Sequence, residues 1–587
     1  MTELMWDGKY KDGKKVGPVR IALPFQTVET VNETAQQRQL TLDMLFAGRE
    51  TEWRNCLIWG DKKYVLPSLL PEFAGKVNLI YIDPPFATGA DFSFTTVIPE
   101  TNESFTKEPS MIEQKAYRDT WGRGINSYLQ WFYETVIILR ELLAEDGSIY
   151  VHCDWHIGHY IKLILDEVFE SKYFRNQIIW WYYDKFPTGG NVLDRQHDFL
   201  LQFTKTDNYV VNRVMESRLE PGRPTEVRKK VAGRITRIVD PETGRTKFVE
   251  GTTEKKVSDV WRIPLINSMS AERIITASTN KGDLVLDCFC GSGTTATVAE
   301  KLGRRWITCD LGRFAIHTAR KRLLSIDNVK PFVIQNLGKY ERQAWQAAEF
   351  SDPMQRANVQ SRYRNFILQL YHATPVDGYV WLHGIKGGKL VHVGSVDAPI
   401  SLGEVRSIVN EFWRVRGKDV GEHSNSIDVL GWDFAFDLNE TAKQMAADSN
   451  IKLAFKKIPR EVLEKKAVEQ GDIAFYELAA LAVDVKPMKK CVGVELTNFF
   501  MPPDDVPEDV KNAIKHWSQW IDYWAVDWDY RDDTFHNQWQ TYRTKKEPKI
   551  LLKTFHEYEE PGSYTIVIKV IDLLGNDTAK AVTVEVQ

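Results

Sequence analysis

Cysteine is scarce in this chain. Six residues in 587 (Cys56, Cys153, Cys288, Cys290, Cys309 and Cys491) are scattered with no Cys-x-x-Cys pair. That pattern speaks against a zinc ribbon or a disulfide framework and for buried, reduced thiols. Excess positive charge is also missing. The net charge is -4, so any nucleic-acid-binding surface must be local. No apolar run is long enough to suggest a membrane span, and the first residues, MTELMWDGKYKDGKK, lack a signal-peptide pattern. A cytoplasmic protein without a membrane partner is the expectation. No Gly-x-x-x-x-Gly-Lys-Ser/Thr occurs, and no helicase or nuclease signature is visible. Hydrophobic content of 43% and charged content of 27% are ordinary for a globular protein of about two to four domains.

Two short stretches stand out. Val77–Ile82 (VNLIYI) reads as a buried strand, and Asp83-Pro84-Pro85-Phe86 closes it. An acid, two prolines and an aromatic at a strand tip suit the holding of a flat, amine-bearing ring. Asp83 can accept from an exocyclic amine, the prolines stiffen the turn and lack N–H groups, and Phe86 offers a stacking face. The plain alternative is a proline-rich strand exit. Much later, Leu284–Leu286 reads as another buried strand, followed by Asp287-Cys288-Phe289-Cys290-Gly291-Ser292-Gly293-Thr294-Thr295 and a helical pattern. Glycines at a strand-to-helix turn admit a ligand close to the backbone. Trp306–Cys309 ends in Asp310, placed to bind ribose hydroxyls. A dinucleotide-binding dehydrogenase would look similar, but its third glycine is missing, which favours an adenosyl ligand without a pyrophosphate.

The rest of the chain supplies the frame. Residues 1–54 read as a polar N-terminal arm, and a core of alternating strands and helices runs over 55–208. Tyr128–Leu143 and Gly158–Phe169 are helices; Ile149–Cys153 and Gln177–Tyr183 are strands. Residues 90–124, polar and irregular, could serve as a lid or as an ordinary surface loop. His152, His156 and His159 are expected to cap or pack, not to hold a metal. Residues 209–258 form a basic, turn-rich insert in which Arg223, Arg228, Lys229, Lys230, Arg234 and Arg237 are candidates for contacts to nucleic-acid phosphates and guanine edges. A solvated charged loop is the alternative. The core resumes over 259–340. Residues 341–540 mix strands and helices, and 541–587 read as a small β module.

Taken together, Phe289-Cys290-Gly291-Ser292-Gly293 and Asp83-Pro84-Pro85-Phe86 resemble the cofactor and catalytic motifs of the DNA amino-methyltransferases. Their order, catalytic first, is that of the circularly permuted beta class. Asn78–Phe94, Gly147–His156 and Phe174–Trp181 are similar to adenine-specific members associated with type III restriction–modification. The resemblance covers roughly the first three-fifths of the chain, and several motifs in consistent order are more specific than any one.

The resemblance implies an α/β fold: a Rossmann-like, S-adenosylmethionine-dependent methyltransferase core with a target-recognition insert and a mixed α+β C-terminal part ending in a β module. It implies Asp83, Pro84, Pro85 and Phe86 as catalytic. It implies Asp287, Phe289, Gly291, Gly293 and Asp310 as cofactor-binding, with no metal. Duplex DNA is the implied partner, and the family allows a restriction or helicase subunit and a homodimer. Adenine N6 is favoured because the cytosine-N4 enzymes usually carry Ser in place of Asp83. Three positions depart from the family. The His/Tyr-Pro-Thr-Gln/Glu-Lys-Pro segment is replaced by Ile266–Arg273, Ala87 stands where Asn is frequent, and so does Lys62. The first departure bears on cofactor affinity. It keeps a second reading open, a DNA-binding scaffold or specificity subunit with a weakly active fold. N4-cytosine, RNA and protein-amide methylation are further alternatives.

Overall fold

The computed structural model describes residues 3–33, 37–38, 53–85, 94–101, 104–107, 124–184, 193–217, 225–231, 234–241, 243–249, 253–264, 268–350, 359–416, 425–435, 438–463, 468, 473–502, 506, 508–531, 534–544 and 546–587. Its centre is one sheet. In chain order the elements that build it are β1 (Gln26–Val31), β2 (Asn55–Trp59), α1 (Lys62–Phe73), β3 (Val77–Ile82), α2 (Ile125–Leu142), β4 (Leu143–Cys153), α3 (Gly158–Phe169), β5 (Phe174–Trp181), β6 (His197–Thr204), β7 (Val260–Arg262), α4 (Met269–Ser278), β8 (Leu284–Asp287), α5 (Thr294–Lys301), β9 (Arg305–Asp310), α6 (Arg313–Leu324) and β10 (Phe332–Asn336).

The spatial order is β7-β5-β6-β4-β3-β8-β9-β2-β10-β1, with Phe535–Asn537 added beyond β1. The six strands from β4 to β10 are parallel. This follows from composition. Strands such as VNLIYI and LVLD are apolar on both faces, and strands of that kind need helices on both sides. Ile80 and Ile82 pack under α1, α2 and α3, while Leu79 and Tyr81 pack under α4, α5 and α6. The expected α/β, Rossmann-like core is observed. From β3 the chain moves outward to β4, and from β8 it moves the other way to β9. The order therefore reverses between β3 and β8, the place where such folds open a crevice at the carboxyl ends of their strands.

The sequence reading needs correction in three places. The expected N-terminal arm, 1–54, contributes β1 to the sheet, antiparallel to β10. Its buried Glu29 meets Arg320 and Lys569, each at 2.7 Å. Strand β6 was not anticipated at all. The C-terminal strands expected from 541 onward pair with earlier ones. Lys553–Glu557 joins Cys491–Phe500, and Gly562–Asp572 joins Ile521–Asp527, so the β part draws on the chain from Ala480 onward. Residues between 374 and 477 form a separate six-stranded sheet.

The C-terminal β part also reaches the catalytic half. Ile98, within the expected lid, is buried in the same apolar cluster as Trp520, Trp524 and Val494. Gln519 Nε2 donates to the Pro99 carbonyl at 2.8 Å. Phe94–Val97 and Ser104–Lys107 form a hairpin beside it; residues 90–93, 102–103 and 108–123 of that stretch lie outside the described residues. Among the described residues, no helix is long and apolar enough to cross a membrane.

Candidate active site at the carboxyl edge of the sheet

Strands β3 and β8 lie side by side with Leu79 opposite Val285 and Ile80 opposite Leu286. Continuing that register puts Asp83 level with Phe289. The two motifs, some two hundred residues apart in sequence, thus share one edge of the sheet. Helix packing forces this arrangement, because both strands are buried and each must end where its turn begins.

Asp83 follows the last residue of β3, with 48% of its side chain exposed. Its Oδ1 accepts from His152 Nδ1 at 2.9 Å. The register explains the meeting: Ile82 pairs with Val151, so the next residues along the two parallel strands, Asp83 and His152, stand level. On its other side His152 Nε2 donates to Asp198 Oδ2 of β6 at 3.2 Å, and the Tyr182 hydroxyl donates to that same oxygen. The alternation of strand side chains puts Tyr81, Tyr150, Trp180, Tyr182 and Leu200 on this face. The Trp180 ring lies 5.3 Å from the imidazole. Burial would favour the neutral ring, but the Asp83 charge and the hydrogen bonds to Asp198 and Asp83 outweigh it and hold the imidazolium up to about 10. At neutral pH a buried cation therefore lies between two aspartates. His152 was expected merely to pack, and Asp198 and Tyr182 drew no attention in the sequence. A usable signal existed. Aligning VNLIYID with SIYVHC on their shared apolar pattern already sets Asp83 against His152. Pro84 is buried, while Phe86 lies outside the described residues.

The second motif turns tightly from β8 into α5. Asp287 Oδ1 accepts from the Phe289 amide at 2.9 Å, and Asp310 at the end of β9 accepts from Gly291 N at 2.8 Å and Gly312 N at 2.9 Å. Arg322 pins the turn from α6 through Ser292 and Thr294. The two glycines differ. Gly291 (φ +50) has nothing within 4 Å of where a Cβ would sit, whereas Gly293 (φ +77) has Ala319 Cβ at 2.7 Å from that position. Gly293 thus lets α6 come close, and Gly291 faces open space. Burial raises the Asp287 carboxyl to about 7, against the hydrogen bonds from Thr295 and Phe289 that lower it. Phe289 rests on Trp131, rings 5.5 Å apart. Lys62, the departure in the first helix, is buried with its Nζ 4.0 Å from the Trp131 ring centre and donating to Thr135.

The insert is a set of short antiparallel ladders. Met215–Ser217 pairs with Glu254–Lys256, Thr225–Glu226 with Phe248–Val249, and Arg228–Val231 with Arg234–Arg237. Lys229, Lys230 and Arg234 lie on the last hairpin, and Arg223 lies outside the described residues. Arg228 and Arg237 are exposed and share Glu226, at 3.0 and 3.1 Å. A second exposed basic feature, not foreseen, runs along the sheet edge from Asp83. Trp155, Trp181 and Tyr183 are exposed there. Arg195 lies 3.7 Å from the Trp155 ring centre and Arg262 lies 4.7 Å from that of Tyr183.

A parallel sheet with acids and a glycine turn gathered at its switch point defines an α/β ligand-binding fold of the nucleotide-handling kind. Residues 77–321 match the family described as DNA methylase, and that segment is similar to enzymes of the N6/N4 DNA methyltransferase kind. Type II methyltransferase M.EcaI of Enterobacter cloacae is 27% identical over 330 residues, covering 46% of this chain and 69% of that enzyme. The type III restriction-modification enzyme EcoP15I Mod subunit of Escherichia coli is 26% identical over 212 residues, 34% of this chain and 30% of the subunit. The chain thus matches under a third of the Mod subunit's length. A solved structure, the M1.HpyAVI-SAM complex, is 19% identical and covers 46% of this chain and 98% of its own, with a TM-score of 0.28.

Proposed function

We propose that this chain methylates the N6 amine of adenine in duplex DNA with S-adenosylmethionine, as the modification component of a restriction or phage-defence system. The observation that carries the reading is the juxtaposition at one sheet edge of a half-exposed, cation-held Asp83 and the open glycine turn after β8. S-adenosylmethionine suits that turn because the space at Gly291 admits a ligand and two acids, Asp287 and Asp310, converge there with the amides of Phe289 and Gly291. Gly291 and Gly293 would shape the turn around it, Asp310 would meet its ribose, Asp287 its amino-acid end, and Phe289 would line the site. When bound, it supplies an electrophilic methyl group carried on a sulfonium.

The chain's own residues do the rest. The target amine is unreachable inside a duplex, so the base leaves the stack at a cost of a few kcal/mol. Phe86 offers the extruded base a ring, which offsets part of that cost. Asp83 and the Pro84 carbonyl accept hydrogen bonds from the amine, turning its lone pair out of conjugation. The negative charge of Asp83 then favours the positive charge that grows on nitrogen. A carboxylate at this position, and not a hydroxyl, is what favours adenine over cytosine. Arg228, Arg237 and the hairpin they belong to suit a major groove, which admits a two-stranded ribbon. The edge bearing Trp155, Trp181, Tyr183, Arg195 and Arg262 lies beside Asp83 and suits the strand that flanks the extruded base, with rings to stack on and guanidinium groups for phosphates.

The test is incubation with methyl-labelled S-adenosylmethionine and unmethylated genomic DNA, followed by digestion to nucleosides. Label in N6-methyladenine is expected. Label in N4-methylcytosine would overturn the base assignment. No label with intact DNA binding would replace the enzyme reading by the scaffold one.

A further inference from the structure

We propose that His152, backed by Asp198 and Tyr182, is the positioning residue of the site, fixing one oxygen of Asp83 so that the other is presented to the target amine. The inference rests on the methyltransferase reading and deepens it. Three strands contribute: Asp83 follows β3, His152 is on β4 at 2.9 Å, Asp198 is on β6 at 3.2 Å, and Tyr182 just beyond β5 closes the line. Each link joins neighbours in the sheet order β3-β4-β6-β5, so the relay is built from sheet register and not from flexible loops.

A structural role alone would not select these residues. Burying a cation costs several kcal/mol, and well-packed apolar side chains usually stabilise such a position as well or better. The neighbours of His152 on this face, Tyr150 and Leu200, show that apolar packing is available there. What the imidazolium adds is specific to Asp83. It holds the carboxylate's orientation with a charge-assisted bond. It also balances two aspartates, so the trio of Asp83, His152 and Asp198 carries one net negative charge instead of two. One negative charge suffices to favour a cationic amine. Two unbalanced carboxylates in one site disfavour each other's charge, and charge on the acceptor is what the growing cation needs. The other ionisable groups on this face are the phenols of Tyr81, Tyr150 and Tyr182, which burial keeps neutral, and Asp287 at the end of the neighbouring strand, whose carboxyl is raised to about 7 by burial and also by the Asp83 charge. Asp154, next along the chain, is engaged by His156.

The experiment uses the full chain and unmethylated duplex DNA. Single-turnover methylation is measured as a function of pH for the wild type, His152→Ala, His152→Gln and Tyr182→Phe, alongside equilibrium binding of S-adenosylmethionine and of DNA. For His152→Ala the rate is expected to fall about 100-fold or more while both dissociation constants stay within a few-fold. His152→Gln, which can bond without the charge, should recover part of it. Both variants should show a changed pH dependence of the rate relative to the wild type, because Asp83 then lacks its cationic partner. Tyr182→Phe, the mildest change, should cost several-fold with the fold intact. A histidine variant with the wild-type rate, or one with a reduced rate but an unchanged pH profile, would overturn the proposal. A separate readout needs no catalysis. The His152 ring is titrated by NMR in the wild type and in Asp83→Asn, where its pKa should fall by at least about one unit. An unmoved titration would sink the relay even if the protein methylates DNA. A moved one in a chain that transfers no methyl group would uphold the relay and fail the methyltransferase reading alone.

Discussion

Asp83 and Asp287 sit at the carboxyl ends of neighbouring parallel strands, yet their surroundings divide them. Asp83 is half exposed and bonded to a cation. Asp287 is only 4% exposed, bonds to the amide of Phe289, and has its carboxyl raised by burial to about 7. The same side chain thus serves as a charged acceptor on one strand and as a reluctantly ionised group on the next. The difference comes from what the adjoining strand supplies: β4 brings His152 to Asp83, whereas the turn after β8 offers Asp287 only backbone and hydroxyl donors. Two acids that look alike in sequence are assigned different work by their neighbours.

Removing each acid should separate them most sharply. Asp83→Ala is expected to abolish methyl transfer, at least 1,000-fold in single-turnover rate, with S-adenosylmethionine affinity within a few-fold; lost cofactor binding would mean that the two sites are exchanged. Asp287 should declare itself through stability. Its folded pKa lies above its unfolded value, so the folded protein holds more protons between about pH 4 and 7, and stability falls as pH rises through that window. Asp287→Asn should flatten this slope, an effect on the order of 3–4 kcal/mol across the window, read from denaturant midpoints at pH 4 and pH 8.

The glycines beside Asp287 extend the comparison to smaller effects. Gly293→Ala combines a left-handed backbone with a collision against Ala319 and should cost about 2–4 kcal/mol of stability. Gly291→Ala meets only the backbone penalty, about 1–2 kcal/mol, and should instead weaken cofactor binding. Equal losses of stability at both positions would refute the distinction drawn between them. The smallest expected change is at the insert. Arg237→Ala should leave stability within about 0.5 kcal/mol, because its pair with Glu226 is exposed. It should also reduce the slope of log affinity for DNA against log salt by about one.

Local pattern was legible where it was strong. Val77–Ile82 and Gly158–Phe169 were read with their observed limits, since an unbroken apolar run and a clear 3.6-residue period leave little choice. Strand β1 (QTVETV) was hidden because its buried Glu29 looks like a solvent-facing residue until Arg320 and Lys569 arrive from far along the chain. Strand β6 opens on His197 and Asp198, which break the apolar signal, and one of them belongs to the site. The two motifs announced the candidate site, but its electrostatics did not show. The partner of Asp83 comes from a different strand, and it shows in the sequence only when the two apolar runs are set side by side as neighbouring parallel strands.

The docking of Ile98 and Pro99 against the far end of the chain has a consequence for synthesis. Pro99 and its partner Gln519 are 420 residues apart. At roughly 5–20 residues per second, the ribosome delivers that partner about 20–80 s after Pro99 itself. Through that interval the nascent chain carries an uncovered Ile98, a Glu29 without Lys569, and an open sheet edge at β1 where Phe535–Asn537 will later pair. Segments between Val494 and Lys569 therefore decide when the region from Glu29 to Pro99 is finished.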